Sequence, residues 1–295
     1  MQPVPQGFSP TFVNIAIRLK SVIVTGASSG IGKDASIALA DAGYRVFGLA
    51  RSYDRLVELS ASLPDRFIPI EFDATKPETF ERIVKDISSA SEVYGLVNNA
   101  GYVQPGAVED FSMSELRMQF ETNFFGLVGF TKQVLPLLLQ AKSGRIVNLG
   151  SMAGLVSLPL IGAYCSAKHA LEAVSDALRM ELWNTGVKVI NINPGVIETN
   201  IHAITSARVE SLKGITAENE HTSSRFARAY RKYLQDVPKG LPASVVAAVI
   251  VEAISSANPK SRYIVGTAKE KAGVKLRRFV PDNLFYSQVA KRIFS

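Results

Sequence analysis

The chain has 295 residues, a formal net charge of +7, and 47% hydrophobic residues, ample for a sizeable core in one large α/β domain. No run of eighteen uncharged apolar residues is present, so no membrane-spanning helix is expected. A single cysteine, Cys165, excludes an intramolecular disulfide framework.

Residues 1–18 read as an N-terminal extension, with three prolines before residue 11 and no basic segment leading into an apolar core, so no secretory leader is expected. Ser21–Thr25 is a short β-branched apolar run and predicts a buried strand. It runs into Gly26-Ala27-Ser28-Ser29-Gly30-Ile31-Gly32, and a helical pattern follows from Lys33 to Ala42, closed by Gly43. Strand, glycine turn and helix together make a phosphate-binding site the leading hypothesis. Glycine lets the backbone approach a pyrophosphate, and the helix N-terminus supplies free N–H groups and a positive dipole end. The spacing, Gly-x-x-x-Gly-x-Gly, differs from the commonest dinucleotide fingerprint, so a plain tight turn is the competing reading.

A second strand, Arg45–Ala50, ends at Arg51. An acid near this point would accept from a ribose 2′-OH, whereas arginine suits a 2′-phosphate, so NADP(H) is preferred over NAD(H). Further strands are predicted near 67–72, 94–97, 145–149, 187–192 and 261–265, alternating with helical runs. Alternation of this kind predicts a doubly wound parallel sheet of about seven strands with helices on both faces. Pro136 should kink or split the helical run from Met113 to Ala141.

Tyr164 and Lys168 stand at i and i+4 on one helix face, with Ser151 thirteen residues upstream. An ammonium beside a phenol favours the phenolate, which suits the tyrosine to acid–base work near neutral pH. The serine hydroxyl could hydrogen-bond a substrate oxygen held between them. Cys165, one residue from Tyr164, points elsewhere and reads as a packed small residue. Ala167, Leu171, Val174, Leu178 and Leu182 follow at helical spacing and read as core.

Taken together these residues resemble the short-chain dehydrogenase/reductase family. Thr25–Gly32 is similar to its cofactor loop and Asn98-Asn99-Ala100-Gly101 to its Asn-Asn-Ala-Gly motif. Asn123 is similar to its mid-helix asparagine, Tyr164 to Lys168 to its catalytic pair, and Pro194-Gly195-Val196-Ile197-Glu198-Thr199 to the segment near its nicotinamide. The resemblance spans roughly residues 20–200. It implies a Rossmann-like fold and cofactor contacts from Gly26, Ser28, Ser29, Gly30, Ile31, Gly32, Arg51, Asp73 (at the adenine), Asn99, Ala100, Gly101, Tyr164, Lys168, Pro194, Gly195, Ile197 and Thr199. It also implies that Tyr164 exchanges the proton, Lys168 lowers its pKa and bonds the nicotinamide ribose, Ser151 polarises the substrate oxygen, and Asn123 holds a water leading to solvent. A homodimer or homotetramer is implied, built on the helices around Asn123 and Tyr164. No metal is needed, and His169, His202 and His221 lack ligand-like spacing.

The catalytic domain is expected over 19–268, with a substrate lid at about 200–240, followed by a basic, partly amphipathic extension at 269–295. Lys269, Lys271, Lys275, Arg277, Arg278, Lys291 and Arg292 concentrate the positive charge late in the chain. With Phe279, Val280, Leu284, Phe285, Val289, Ile293 and Phe294 this tail reads either as an interfacial membrane contact or as a helix packed over the cleft or a neighbouring subunit; packing is preferred. Nucleic-acid binding is discounted for want of interleaved base-stacking aromatics. Val103, Leu155, Val156, Leu158, Leu160 and Ile161 suggest a lipophilic substrate, such as a steroid, retinoid-like or acyl-chain carbonyl. The expected activity is NADP(H)-dependent interconversion of a carbonyl and an alcohol in the cytoplasm. The alternatives are a cofactor-retaining epimerase or dehydratase, and a non-catalytic NADP(H) sensor.

Overall fold

In a computed structural model, residues 19–199, Phe226, Ala229 and residues 239–294 are described. The N-terminal extension at 1–18, His202, His221 and most of the expected lid lie outside them. Seven parallel strands form the central sheet: β1 Ser21–Thr25, β2 Arg45–Ala50, β3 Phe67–Glu71, β4 Val93–Asn98, β5 Arg145–Leu149, β6 Lys188–Pro194 and a last strand Arg262–Val265. Ile197–Glu198 and Leu241–Pro242 form a separate parallel pair, β7 and β8, which makes the last strand of the main sheet β9. The main sheet runs β3-β2-β1-β4-β5-β6-β9. Its order therefore reverses between β1 and β4, and such switch points open the crevice in which doubly wound sheets bind ligands.

The strands fold as they do because both faces are covered. Val22 and Val24 point to one face and Ile23 to the other, all fully buried. The first face is covered by α1 Gly30–Asp41, α2 Tyr53–Ser62 and a later helix, Ala243–Ser255, through Leu39, Leu56, Val246 and Ile250. The second is covered by α3 Phe80–Ala90 and the helix Gly126–Ala141, through Ile87, Phe130, Val134 and Leu138. Phe130 packs edge-on to Phe80 at 5.3 Å and tilted against Phe72 at 4.8 Å. Truncating a buried aromatic of this kind costs about 3–5 kcal/mol.

Some helix boundaries differ from the sequence reading. Helix α1 begins at Gly30, not Lys33, because the glycine turn itself winds into the first helical turn. The run from Met113 to Ala141 breaks at Glu121–Phe125, a widened π-type turn between α4 Met113–Phe120 and α5 Gly126–Ala141. It does not split at Pro136, which lies inside α5. Pro136 and Lys132, the residue whose carbonyl loses its partner, both lie on the exposed face, open to solvent. By length and composition alone Met113–Ala141 is long and apolar enough to cross a membrane, although Glu121 and Lys132 leave it no run of eighteen uncharged residues. Its α5 part instead lays Phe130, Val134 and Leu138 on the sheet.

Helix α6, Gly162–Glu181, buries Ala167 and Leu171 as expected. The helix Ala243–Ser255 is α7. Beyond β9 the extension forms α8 Ala268–Leu276 and α9 Asp282–Phe294. Ile293 packs with Phe226 against Ala107, Leu160 and Ala229, so the end of the tail lies against the loops that precede α6. Leu276, Phe279 and Leu284, at the α8–α9 corner, are exposed.

Candidate active site

Segments at the carboxyl ends of β1, β4, β5 and β6 meet at the switch-point end of the sheet, where doubly wound sheets place their ligand cleft. At the glycine turn, Gly26 has φ +69, and a Cβ there would meet Asn99 Nδ2 at 2.8 Å. A Cβ on Gly32 would stand 2.2 Å from the Gly26 carbonyl oxygen. Only glycine permits this closeness at either position. Ser28, Ser29, Gly30 and Ile31 line the turn, half-buried. Ser29, at the N-cap, makes no side-chain capping bond, and the first turn of α1 carries no acid. The end of α1 is thus an electropositive, uncapped N-terminus.

Thr25 ties this turn to the loop after β4. Its hydroxyl donates to the Val97 carbonyl at 3.3 Å and accepts from the Asn99 and Ala100 N–H groups at 3.0 Å each. The Asn99 amide donates back to the Thr25 and Gly26 carbonyls. The place for a Gly30 Cβ is 3.0 Å from Thr199 Cγ2, which brings the Pro194–Thr199 segment to the same turn. Arg51 is exposed just after β2. Asp73 follows β3 and accepts from the Thr75 N–H and hydroxyl. Burial alone would raise its pKa, but these bonds and the Arg51 and Lys76 charges hold the carboxylate below its usual range.

Asn123 is fully buried in the wide turn. Its amide accepts from the Tyr102 N–H at 3.1 Å and donates to the Tyr102 carbonyl at 2.9 Å, beside Gly101. Gln119, one turn earlier, donates to that carbonyl and accepts from the Gln104 N–H. The two side chains fix the backbone that continues from Ala100-Gly101.

Ser151 follows β5 and caps a short 3₁₀ turn, its Oγ accepting from the Ala153 N–H at 3.1 Å. Tyr164 lies in the first turn of α6, and Lys168 Nζ is 5.8 Å from its ring centroid. Lys168 is 4% exposed and donates to the Leu149 carbonyl at 2.6 Å. Burial pulls its pKa down to about 8, while Glu172 pulls it up. Leu160, between Ser151 and Tyr164, is held at φ +66, a strained conformation for leucine, with its carbonyl accepting from the Gly106 N–H.

Glu172 was not singled out from the sequence, although it stands at i+4 from Lys168. Its carboxylate is buried and accepts from Asn191 and Asn193 at 2.7 Å each, and from Arg262 Nε and Nη2 at 3.1 and 2.7 Å. Asn193 also donates to the Ser151 carbonyl at 3.0 Å. Asp176 and Arg179 pair one turn further along, with Asp176 also facing Arg262. One carboxylate therefore touches both the setting of Ser151 and the field at Lys168.

Cys165 is buried against Leu158, and burial raises its pKa. His169 bonds the Cys165 carbonyl through Nδ1. Among the described residues no three His, Cys, Asp or Glu side chains gather as metal ligands.

A family model for the short chain dehydrogenase matches residues 20–209. The chain belongs to the short-chain dehydrogenase family. It is 33% identical over 290 residues to an NADPH-dependent 3-dehydrocapnine reductase of Ornithobacterium rhinotracheale, covering 92% of this chain and 98% of that one. It is 31% identical over 274 residues to a 3-ketodihydrosphingosine reductase of Bacteroides thetaiotaomicron, covering 92% and 97%. A solved short-chain dehydrogenase/reductase from Burkholderia phymatum, in complex with NAD, superposes with a TM-score of 0.75 at 27% identity, over 89% of this chain and 94% of that one. The protein is an oxidoreductase acting on CH–OH groups, on a dinucleotide-binding fold. The residues present suit a dinucleotide: a backbone turn cleared of Cβ atoms at Gly26 and Gly32, and an uncapped helix end to face a pyrophosphate.

Proposed function

We propose that the protein is an NADP(H)-dependent reductase of a lipophilic carbonyl, with Tyr164 as the proton donor. The carrying observation is Lys168, a buried cation within 5.8 Å of the Tyr164 ring and next to the backbone that leads to Ser151. A bound nicotinamide supplies the hydride. Ser151 donates a hydrogen bond to the carbonyl oxygen, and Tyr164 gives that oxygen its proton as the alcohol forms. Lys168 stabilises the phenolate left behind and bonds the nicotinamide ribose. Asn123 spends its side chain on Tyr102, so its contribution to proton supply runs through its backbone carbonyl, in a turn whose helical bonding is already widened.

Arg51 supports the NADP(H) preference: it is exposed at the end of β2, with no acid in its place. The Ornithobacterium relative, named as NADPH-dependent, points the same way, and both bacterial relatives are named as reductases. Asp73 takes the adenine edge, and Pro194, Gly195, Ile197 and Thr199 take the nicotinamide end. The lipophilic reading rests on fewer residues than the sequence suggested, since Val156, Leu160 and Ile161 are buried in packing, leaving Val103 and Leu155 half-buried and Leu158 exposed. Exposed Met118 and Phe125 around the wide turn, with Met180 on α6, support a homo-oligomer through those helices. The free, buried Cys165 suits the cytoplasm.

The test is oxidation of NADPH and of NADH by the purified protein with ketones and aldehydes, from short carbonyls to steroids and long acyl ketones. Turnover with NADPH that rises with the apolar bulk of the ketone supports the reading. Turnover confined to NADH, or to small polar carbonyls, overturns the cofactor or the substrate assignment respectively.

A further inference from the structure

The extension after β9 lies beyond residues 20–209, the span matched by the family model. Its first helix nevertheless reaches the cleft. Thr267 and Glu270 form a reciprocal cap on α8: the Thr267 hydroxyl accepts from the Glu270 N–H, and Glu270 Oε2 accepts from the Thr267 N–H at 2.7 Å. Caps of this kind stabilise helix starts wherever they occur. This one has a second engagement, because Glu270 Oε1 accepts from the Val196 N–H at 2.8 Å, seventy-four residues away.

Three features show a fitted contact. The place for a Gly195 Cβ is 2.5 Å from Glu270 Oε1, so any other residue at 195 would collide with the carboxylate. A Cβ on Gly266 would meet Glu270 Oε2 at 2.9 Å and Met152 Cε at 2.5 Å. Two neighbouring backbone groups have other partners: the Gly195 N–H donates to the Val265 carbonyl, and the Val196 carbonyl accepts from the Leu241 N–H. Without Glu270 the Val196 N–H would lose this acceptor. Burial works against the Glu270 charge, but the donors from Val196 and Thr267 outweigh it and hold the carboxyl below its usual range.

We propose that Glu270 is a positioning residue for the cofactor site: the C-terminal extension, through this carboxylate, fixes the Gly195–Val196 backbone, and with it the path of Ile197 to Thr199 along the nicotinamide. This rests on the dinucleotide reading of the cleft. The extension is then a working wall of the site, and Val196 cannot spend its N–H on the cofactor.

The experiment compares Glu270→Ala and Glu270→Gln with Ser112→Ala, which removes the capping hydroxyl from the reciprocal cap on α4. Three quantities are read in the full chain: the NADPH Kd by fluorescence, the melting temperature, and hydrogen exchange at the Val196 amide without nucleotide. The proposal expects Glu270→Ala to weaken NADPH about tenfold and to speed Val196 exchange by a similar factor, as loss of a charge-assisted bond implies. Glu270→Gln should fall between, since one amide oxygen cannot serve both Val196 and Thr267. Ser112→Ala should lose thermal stability with neither other change. Wild-type Kd and exchange in Glu270→Ala would overturn the proposal, as would equal losses in Ser112→Ala. Should Glu270→Ala fold poorly, Glu270→Gln decides by the same readouts. If the wild-type protein binds no NADPH, the dinucleotide reading fails, and the exchange arm still decides the clamp.

Discussion

The two walls of the cleft are held by different physics. The wall from β1 and β4 is neutral: glycine turns, the Thr25 hydroxyl and the Asn99 amide meet backbone groups over 2.9–3.3 Å. The wall from β5, β6 and β9 is charged: Glu172 and Glu270 hold backbone and side chains from distant strands, and Arg262 balances Glu172. A neutral backbone cradle leaves the helix dipole free for an anionic ligand. A charged wall sets the protonation of its neighbours, and the groups proposed for proton transfer sit there. Damage to the first wall should therefore cost binding; damage at Lys168 or Glu172 in the second should cost turnover and its pH dependence, whereas Glu270, which holds the Val196 backbone, acts on binding.

The largest effect expected is from Lys168→Met. Turnover should fall by about 10²–10⁴, the usual weight of acid–base assistance. Stability should move the other way. With a folded-state pKa of about 8 against an ordinary 10.5, the folded lysine resists its charge. Below pH 8 both states are protonated and the charge burdens the fold by at most roughly 3 kcal/mol, less whatever the Leu149 bond returns. Between pH 8 and 10.5 the unfolded chain holds the extra proton, so wild-type stability rises with pH. The melting advantage of Lys168→Met should thus be greatest at neutral pH and shrink as pH rises through that window. Thermal melts from pH 6 to 10 check it, and an advantage that grows with pH would break the account of a buried cation.

Gly32→Ala is the matching injury to the neutral wall. A Cβ placed 2.2 Å from the Gly26 carbonyl must distort the turn, and overpacking of this order costs about 1–3 kcal/mol. NADPH affinity should fall about ten- to hundredfold, with the basic limb of the pH–rate profile unmoved. Isothermal titration and a pH series check both halves, and a shifted limb would blur the contrast between the walls.

Glu172→Gln sharpens the contrast from the other side. Its charge raises the Lys168 pKa, so its removal should lower it, and the basic limb of kcat should move to lower pH by about one unit, with NADPH Kd within about twofold of wild type. The groups facing Lys168 here are Glu172 and Tyr164, and Arg262 faces Glu172. Superimposable pH profiles would remove Glu172 from this role.

Arg51→Ala should have the smallest effect, because the side chain is exposed and screened. NADPH binding should weaken about tenfold at low salt, with NADH nearly unchanged. Equal losses for both nucleotides would cancel the 2′-phosphate assignment.

The strands were legible because a sheet covered on both faces writes itself as unbroken apolar runs, and β1, β2 and β5 fall at the expected residues. The glycine turn and the Tyr164–Lys168 pair were legible because each lies within one local element. What escaped depends on partners far along the chain or on local geometry with no compositional mark. Glu270 meets Val196 across seventy-four residues, and no spacing announces it. The wide turn at Asn123 adds one residue's breadth without a proline or glycine inside it. Leu160 at positive φ looks like any leucine in sequence. Pro136 was read as kinking or splitting its helix, and it does not split it, because the outcome depends on whether solvent reaches the freed carbonyl, which the packing of α5 decides. Glu172 could have been found, since i+4 from Lys168 puts it on the same helix face.

The most direct test of the account is Tyr164→Phe, measured for NADPH Kd and for single-turnover reduction of a ketone that the wild-type enzyme accepts. Loss of the hydroxyl should leave Kd within about twofold and cut the chemical step by about 10²–10⁴. Turnover close to wild type, with NADPH still bound, would contradict it, and the proton would have to come from another group.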